Sequence, residues 1–305
     1  MVELVWIVVL IVSLVTLVKG ADWFTLGAES VGLRFGIPQF VIGVTIVSVG
    51  TSLPELASSV AAVFEGTTEI VVANIVGSNI ANSLLVLGIV AFIGGGIVTK
   101  RAVAKIDMPF LFVATCLLVL VAINAVLSRV EAFLFIALFL GYMWWLFTQK
   151  REVDLDYEHN WLKSTIYLVV GGVLLIASAK FLIDSVVQVG MVFNINPAFI
   201  SASIVAFGTS VPEVVVSVVA VLKNKKDLAL GNIIGSNLFN ILLVGGVAGL
   251  ISPLLIDQRI LVFALPVLFL STVMLWLFIM RQEITRLQGV GLFIAYLLFI
   301  SFLFL

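Results

Sequence analysis

Apolar stretches of about 20 residues, the length that crosses the hydrocarbon core of a bilayer as an α-helix, recur along the whole chain. No part of the chain shows the short blocks of alternating apolar and polar residues that mark a membrane β-barrel. The pattern predicts an all-α polytopic membrane protein with ten transmembrane helices, at residues 2–33, 38–64, 70–93, 106–126, 131–147, 161–192, 197–222, 228–251, 260–280 and 287–305.

Composition supports the membrane class and narrows the partners. Apolar residues make up 62% of the chain and charged residues only 11%, with a mean hydropathy of +1.29. Soluble domains carry about a quarter charged residues. The net charge of −1 gives no basis for nucleic-acid binding, and the single Cys116 excludes a disulfide framework. We predict contact with the lipid bilayer, no nucleic-acid partner, no bound cofactor and no obligate protein partner.

Two polar motifs occur twice inside the apolar stretches. Residues 49–55 read VGTSLPE and residues 207–213 read FGTSVPE, 158 positions later. Residues 74–82 read NIVGSNIAN, and residues 232–240 read NIIGSNLFN at the same offset. Each motif region, about 40–83 and about 198–241, lies in one half of the chain. The sequence therefore indicates two repeats, residues 1–147 and 161–305, joined by a polar connector at 148–160.

The repeat predicts the topology. Five spans per half is an odd number, so the two halves enter the membrane in opposite directions, as in many secondary transporters. Loop charge agrees: two basic loop residues, Arg129 and Arg259, fall on one predicted side and twelve on the other. The positive-inside rule places the twelve-residue side in the cytoplasm and both termini in the extracytoplasmic space. The twelve are Arg34, Lys100, Arg101, Lys105, Lys150, Arg151, Lys163, Lys223, Lys225, Lys226, Arg281 and Arg286.

The first motif carries helix breakers beside a glutamate. Proline removes one helical hydrogen bond and clashes with the carbonyl four residues earlier. Pro54 and Pro212 therefore predict freed carbonyls near Gly50 and Gly208. Such irregular backbone is tolerated at membrane depth where it lines a cavity or is packed in protein, and free carbonyl oxygens are ligands for hard cations.

Side chains at helical spacing complete the predicted site. Residues four apart share one helix face, and a glutamate within a membrane helix is costly enough to indicate function. The oxygens suit Ca²⁺, Na⁺ or protons rather than soft metals. The four pairs are Thr51 with Glu55, Thr209 with Glu213, Ser78 with Asn82, and Ser236 with Asn240.

Charge favours exchange over uniport. A site with two glutamates carries about −2 when empty, and one Ca²⁺ or two monovalent ions would neutralise it. An empty site of that charge does not cross the membrane easily, which favours divalent-for-monovalent antiport. For Asn74, Asn79, Asn232 and Asn237, helix packing and coordination are both open. Asp22 and its repeat counterpart Lys180 form either a charge pair or two residues that reach towards the membrane surface.

Other functions fit less well. An intramembrane serine protease needs a base, but the single His159 lies in the connector, and no His-Glu-x-x-His motif supports a zinc protease. An aspartyl protease would need paired aspartates within the membrane. A passive channel would need a continuous pore instead of an occluded site.

The doubled Gly-Thr-Ser-x-Pro-Glu and Gly-Ser-Asn motifs resemble the α-repeats of the sodium/calcium exchanger (cation/calcium antiporter) superfamily, in its compact prokaryotic form. The resemblance implies Ca²⁺ and Na⁺ as transported ions, a prokaryotic plasma membrane, and four ion sites between spans 2, 3, 7 and 8. It also implies that spans 1 and 6 slide to alternate access. Glu55 and Glu213 would be the central Ca²⁺ ligands, joined by oxygens of Thr51 and Thr209. Ser52, Ser78, Ser210 and Ser236 would line flanking Na⁺ positions, and the backbone oxygens of Ser48 and Ala206 would complete the outer ones.

One departure from the family pattern changes the expected charge. Many relatives have an acidic residue at one of the positions of Asn82 and Asn240, whereas both are asparagine here. Three Na⁺ would then load the site to about +1 and one Ca²⁺ would leave it neutral, so three-for-one exchange would be electrogenic. K⁺-dependent relatives are acidic at the Asn240 position, which argues against K⁺ cotransport. The counter-ion stays open between Na⁺ and H⁺.

Overall fold

A computed structural model describes residues 2–99, 103–148, 160–192 and 208–303. Almost all of these residues are helical. The connector is outside this range except for its two ends, and so is the first part of the span predicted at 197–222. The helices are α1 (Val2–Arg34), α2 (Gln39–Thr51), α3 (Leu53–Phe64), α4 (Thr68–Ile93), α5 (Met108–Ala122), α6 (Arg129–Thr148), α7 (Trp161–Val192), α8 (Val211–Leu222), α9 (Lys226–Ile251), α10 (Ile260–Met280) and α11 (Arg286–Leu303).

Seven helices in the described part of the chain are long and apolar enough to cross a membrane. The bent pair α2 and α3 makes an eighth crossing if it is one span. Helices α8 and α11 are apolar but shorter. The protein is therefore an integral membrane protein, and the count of ten spans stays a prediction. The span predicted at 106–126 ends earlier than expected, because its helix ends at Ala122.

Four very short strands, which the apolar pattern did not predict, join the two halves of the chain. Strand β1 (Ile97–Val98) pairs antiparallel with β4 (Glu283–Ile284), and β2 (Val126–Leu127) pairs antiparallel with β3 (Leu254–Leu255). Strands β1 and β3 occupy equivalent positions of the two repeats, and so do β2 and β4. Each sheet therefore takes one strand from each half.

The two sheets lie at opposite ends of α4. Helix α4 begins at Thr68, whose hydroxyl accepts a hydrogen bond of 3.3 Å from the Leu255 amide of β3. Its other end leads into β1, about 39 Å away for a 26-residue helix. Lys226, the repeat counterpart of Thr68, begins α9 and donates to the Gly96 carbonyl beside β1 at 2.8 Å. We name these ends the β1–β4 face and the β2–β3 face.

Helices α4 and α9 form the buried centre of the protein, whereas α1 and α7 pack together at its periphery. The hydrophobic spans of α4 and α9 are 83% buried, against 22% for α1 and α7. Glycines bring α1 and α7 into backbone contact: a Cβ atom at Gly20 would lie 2.8 Å from the Leu175 nitrogen. At Gly27 it would lie 2.8 Å from the Ser164 carbonyl oxygen. The two peripheral helices are therefore closely joined.

Candidate ion-binding site

Two helix breaks position the glutamates. Ser52, at φ −93° and ψ 7°, separates α2 from α3, and the two helices are bent by 43°. Ser210, at φ −84° and ψ 1°, precedes α8 in the same way. Pro54 and Pro212 occupy the first turn of the following helix, where the missing N–H costs little. The predicted interruption is present, and the backbone departs from the helix at the serine.

Both glutamates lie in the first turn of a helix as a consequence. Glu55 is in the first turn of α3 and Glu213 in that of α8. The positive end of the helix dipole and the free N–H groups there favour an ionised carboxylate. The two carboxylates also interact electrostatically with each other. The breaks thus direct two acidic groups into one region of the protein core.

Two π-helical turns hold the asparagines. Residues Ala81–Val86 in α4 and Phe239–Val244 in α9 are π-helical, at equivalent positions of the two repeats, and contain Asn82 and Asn240 at the second position. Short π-helical insertions are rare in proteins overall, and those that occur are often at functional sites. Nothing in the sequence signals these turns beyond the repeated asparagine itself.

A pair of equivalent hydrogen bonds crosses between the repeats. The Thr51 hydroxyl donates to Asn232 Oδ1 at 3.2 Å. The Thr209 hydroxyl donates to Asn74 Oδ1, also at 3.2 Å. Asn74 and Asn232, whose role the sequence left open, are therefore partners of the predicted threonine ligands.

The amide nitrogens of these asparagines are held in turn by serines. Asn232 Nδ2 donates to Ser217 Oγ at 3.0 Å, and Asn74 Nδ2 donates to Ser59 Oγ at 3.4 Å. Ser59 and Ser217 were not singled out from the sequence. The signal was present, because both serines recur at the offset that relates the two motifs.

Hydroxyl groups from both repeats meet beside the glutamates. Ser78 and Thr209 hydroxyls are 3.1 Å apart, and Thr51 and Ser236 hydroxyls are 3.4 Å apart. The structure thus brings the predicted threonines against the serines of the companion motif in the opposite repeat. Ser210, the remaining predicted serine, is buried at the second break.

Both carboxylates are buried, and no ion pair neutralises either of them among the described residues. Glu55 is 1% exposed, and neither of its carboxylate oxygens has a hydrogen-bond partner among the described residues. Glu213 is fully buried, and its Oε1 accepts a hydrogen bond of 2.9 Å from the Ser52 hydroxyl. Its Oε2 has no partner in the described part of the chain. A buried charge is costly unless it is paired, so these oxygens fit a bound cation or proton.

The asparagines add neutral oxygens to the same set. Asn82 and Asn240 are fully buried, and none of their side-chain polar atoms has a partner within the described ranges. Leaving one such atom unsatisfied costs about 1–3 kcal/mol. Carboxylate, amide and hydroxyl oxygens together match the ligand preference of Ca²⁺ and Na⁺.

Asn79 and Asn237 link the central helices. Asn79 Nδ2 donates to the Asn237 carbonyl at 3.3 Å, and Asn237 Nδ2 donates to Ser83 Oγ at 3.0 Å. These bonds hold α4 against α9. The structure thus gives both residues a packing contact, the first of the two roles considered for them.

The predicted backbone ligands are less accessible. The Ser48 carbonyl accepts hydrogen bonds from the Ser52 amide at 2.9 Å and the Thr51 hydroxyl at 3.2 Å. The Thr51 hydroxyl has one proton, which it shares with Asn232 Oδ1, so only the Ser52 amide fully occupies a lone pair of the Ser48 carbonyl. Ala206, its predicted counterpart, lies outside the described residues.

Equivalent site residues of the two repeats differ in their solvent exposure. Thr51 and Asn232 are fully buried, whereas Thr209 and Asn74 are half-buried. A cavity of about 550 Å³ reaches Thr209 and Asn74 and is bounded on the far side by α7. Because Asn74 lies near the Thr68 end of α4, this cavity is on the half of the protein nearer the β2–β3 face.

Ion pairs close the opposite half. Asp22 of α1 pairs with Lys223, and Glu29 of α1 pairs with Lys225, in the turn between α8 and α9. Gln39 Nε2 also donates to Glu29 Oε1 at 2.7 Å. The interpretation of Asp22 and Lys180 as a charge pair is therefore wrong. Asp22 is within reach of the α8–α9 turn because α1 crosses α8.

Buried carboxylates and amides, held at breaks and π-turns inside membrane helices, are the features of an ion-coupled secondary transporter. The class is supported by comparison with known proteins. The chain belongs to the sodium/calcium exchanger protein family, whose model matches residues 5–148 and 163–305. It is accordingly a cation antiporter rather than an enzyme.

The similar proteins named below each match nearly the whole chain. It is 36% identical to the putative antiporter CaxA of Alkalimonas amylolytica, over 96% of this chain and 97% of that protein. It is 33% identical to the sodium/calcium exchanger MaX1 of Methanosarcina acetivorans, over 97% of each. The sodium-calcium exchanger NCX_Mj, in a structure soaked with zero Na⁺ and Ca²⁺, superposes with a TM-score of 0.88 at 28% identity, covering 98% of this chain and 99% of that chain.

Proposed function

We propose that this protein exchanges Ca²⁺ for Na⁺ by alternating access at a site built around Glu55 and Glu213. The observation that carries the proposal is the pair of buried carboxylates, which form no ion pair within the described ranges and lie among amide and hydroxyl oxygens from both repeats. A related protein is named a sodium/calcium exchanger, and the NCX_Mj structures were soaked with Na⁺, Ca²⁺ or Sr²⁺.

The proposed ligands follow from position in the site. Glu55 and Glu213 supply the negative charge for Ca²⁺, and Asn82 and Asn240 supply neutral oxygens beside them. Thr51 and Thr209 join the glutamates around Ca²⁺. Neutral hydroxyl and carbonyl oxygens at the edge of the site suit Na⁺, because a monovalent ion does not need a second negative charge. The flanking Na⁺ ligands are Ser52, Ser210, Ser78, Ser236 and the backbone oxygens of Ser48 and Ala206.

Charge balance supports electrogenic, K⁺-independent exchange. With two carboxylates, a Ca²⁺-loaded site is neutral and a site with three Na⁺ carries about +1. Three-for-one exchange therefore moves one net charge, worth about 2.3 kcal/mol per 100 mV. A neutral Asn240 offers no additional acidic ligand for K⁺.

We further propose ten spans in two inverted repeats, residues 1–147 and 161–305. Thr68 and Lys226 are equivalent positions, yet they contact opposite faces, which supports the inversion. Basic residues such as Lys226 and Arg286 lie at the β1–β4 face, which the positive-inside rule assigns to the cytoplasm. Both termini would then be extracytoplasmic, in a prokaryotic plasma membrane.

The test is Ca²⁺ uptake by purified protein in sealed proteoliposomes, with the gradients of Na⁺, H⁺ and K⁺ varied separately. Uptake that requires an opposing Na⁺ gradient at clamped pH, unaffected by K⁺, is the expected result. Uptake driven by a pH gradient in the absence of Na⁺ would instead establish Ca²⁺/H⁺ exchange at the same site. A Glu55→Gln/Glu213→Gln double variant is the control that measures the background leak of Ca²⁺ into the proteoliposomes.

A further inference from the structure

Resting on the proposed exchange, we propose that two ion pairs of opposite polarity gate the site from its two faces. The Asp22–Lys223 pair closes the β1–β4 face in the present conformation. Lys180 and Glu65, the equivalent residues of the other repeat, form the corresponding pair and close the β2–β3 face in the alternative conformation.

The β1–β4 face is closed by contacts of α1. Asp22 and Glu29 tie α1 to the turn that carries Lys223 and Lys225. Glu29 is only 1% exposed, so its ion pair is screened little by water. Behind this contact, Thr51 and Asn232 are fully buried. The α1 ion pairs therefore cover the site from the β1–β4 face.

The β2–β3 face is not closed in this conformation. The cavity of about 550 Å³ separates α7 from the core, and Lys180 of α7 lines it. Glu65 lies just beyond α3, in the exposed turn before Thr68 and hence at the β2–β3 face. Among the described residues, neither Lys180 nor Glu65 takes part in an ion pair.

The residues of the two ion pairs are equivalent by the internal repeat. The offset between the two copies of the motifs carries Asp22 onto Lys180 and Glu65 onto Lys223. The acid on α1 becomes a base on α7, and the base in the α8–α9 turn becomes an acid in the α3–α4 turn. The first repeat therefore contributes the acidic residue of each pair and the second repeat the basic residue, so an ion pair can form at either face. Two equivalent gates require this arrangement.

The two ion pairs exclude each other because α1 and α7 are joined. Helices α1 and α7 are in backbone contact at Gly20 and Gly27, so they move together. A movement that brings Lys180 towards the α3–α4 turn draws Asp22 away from Lys223. Access then passes from one face to the other.

The gates are unequal in strength. The second ion pair, Glu29–Lys225, corresponds to Val187 and Thr67 in the other repeat, which cannot form one. Two pairs therefore hold the β1–β4 face and one holds the β2–β3 face. This favours the conformation that is open towards the β2–β3 face when no ion gradient acts.

Disulfide trapping tests the proposal in the full-length protein with Cys116→Ala. The double variants Asp22→Cys/Lys223→Cys and Glu65→Cys/Lys180→Cys are oxidised in proteoliposomes under Na⁺, H⁺ and K⁺ gradients in turn. A disulfide requires Cα atoms within about 7 Å. Both disulfides are expected to form and to stop exchange until reduced. Glu65→Cys/Phe181→Cys, one position along α7, is the matched control and should not cross-link.

Charge exchange tests the role of the ion pair itself. Lys180→Glu should slow exchange about fivefold, as expected for an ion pair of modest strength, and Lys180→Glu/Glu65→Lys should restore the rate. Ca²⁺ binding in detergent should be unchanged in both, which separates gating from ligation and from misfolding. The proposal is overturned if no Glu65–Lys180 disulfide forms, if the Phe181 control cross-links equally, or if the exchanged pair fails to recover.

The readouts separate this proposal from the proposed function. Disulfides are scored on gels and do not depend on which ions are exchanged. If the wild type exchanges Ca²⁺ for H⁺, both disulfides still form under a pH gradient. If Na⁺-driven exchange is confirmed without a Glu65–Lys180 disulfide, the gate alone is wrong.

Discussion

The Ser52 hydroxyl donates a 2.9 Å hydrogen bond to Glu213 Oε1, and this bond joins the helix break of one repeat to the carboxylate of the other. The equivalent bond from Ser210 to Glu55 is missing from the described contacts, and both Glu55 oxygens are without a partner there. The two carboxylates are therefore inequivalent in this conformation. Glu55 has more free lone pairs to offer a cation.

Neutralising either glutamate should abolish Ca²⁺ transport. Glu55→Gln and Glu213→Gln keep the side-chain shape but remove half of the negative charge that balances Ca²⁺. We expect uptake at background level with normal membrane insertion, measured by proteoliposome flux and gel filtration. Glu69→Gln, an exposed glutamate at the start of α4, is the control and should transport normally. Full transport by either site variant would contradict a shared site.

Acidification should weaken Ca²⁺ binding. Protons and Ca²⁺ compete for the same carboxylates, so each proton bound removes one negative charge from the site. Calorimetric titration in detergent between about pH 8 and pH 6 should show a steady loss of affinity as the pH falls. An affinity that is constant over that interval would show that the carboxylates do not hold the ion.

A third carboxylate in the site should make the movement of the Ca²⁺-loaded site across the membrane voltage-dependent. In the wild type, the Ca²⁺-loaded site is neutral, so Ca²⁺/Ca²⁺ exchange should be independent of membrane potential. Asn240→Asp makes that loaded site −1, and its Ca²⁺/Ca²⁺ exchange should become voltage-dependent. The measurement is radiolabelled Ca²⁺ exchange in proteoliposomes at imposed K⁺ diffusion potentials.

The symmetric variant controls for position. Asn82→Asp adds the same charge from the other repeat and should behave alike, because both asparagines are buried at equivalent π-turns. Voltage-dependent Ca²⁺/Ca²⁺ exchange in the wild type would contradict a site with two charges.

Removing the cross-repeat hydrogen bonds should destabilise the fold and the site together. Thr51→Val leaves Asn232 Oδ1 without its donor, a loss of about 1–3 kcal/mol for a buried group. We expect a lower melting temperature in detergent and weaker Ca²⁺ binding. Thr51→Ser retains the hydroxyl and should be close to wild type in both measurements. Equal losses of stability and Ca²⁺ binding in both variants would show that the methyl group, and not the hydrogen bond, is responsible.

Much of the architecture could be predicted from apolar length and the repeated motifs. The start of α7 at Trp161 and the helix break beside Pro54 depend on local sequence, and the prediction matches both. The family assignment is likewise confirmed, because the motifs that carry it are short and specific.

Other features depend on contacts that sequence spacing does not encode. Neither neighbour of Asn82 is a proline or a glycine, so the local sequence gives no signal of the π-turn. The partners of Asn74 and Asp22 lie in the other half of the chain. Local patterns therefore identified these residues without identifying what they bind.

The small sheets have a consequence for how the two halves assemble. Since β1 pairs with β4 and β2 with β3, a single half would leave both of its strands unpaired. Two copies of one half, related by a two-fold axis in the membrane plane, would satisfy all four strands. The same pairing would therefore be available to two separate copies of one half that meet as an antiparallel dimer.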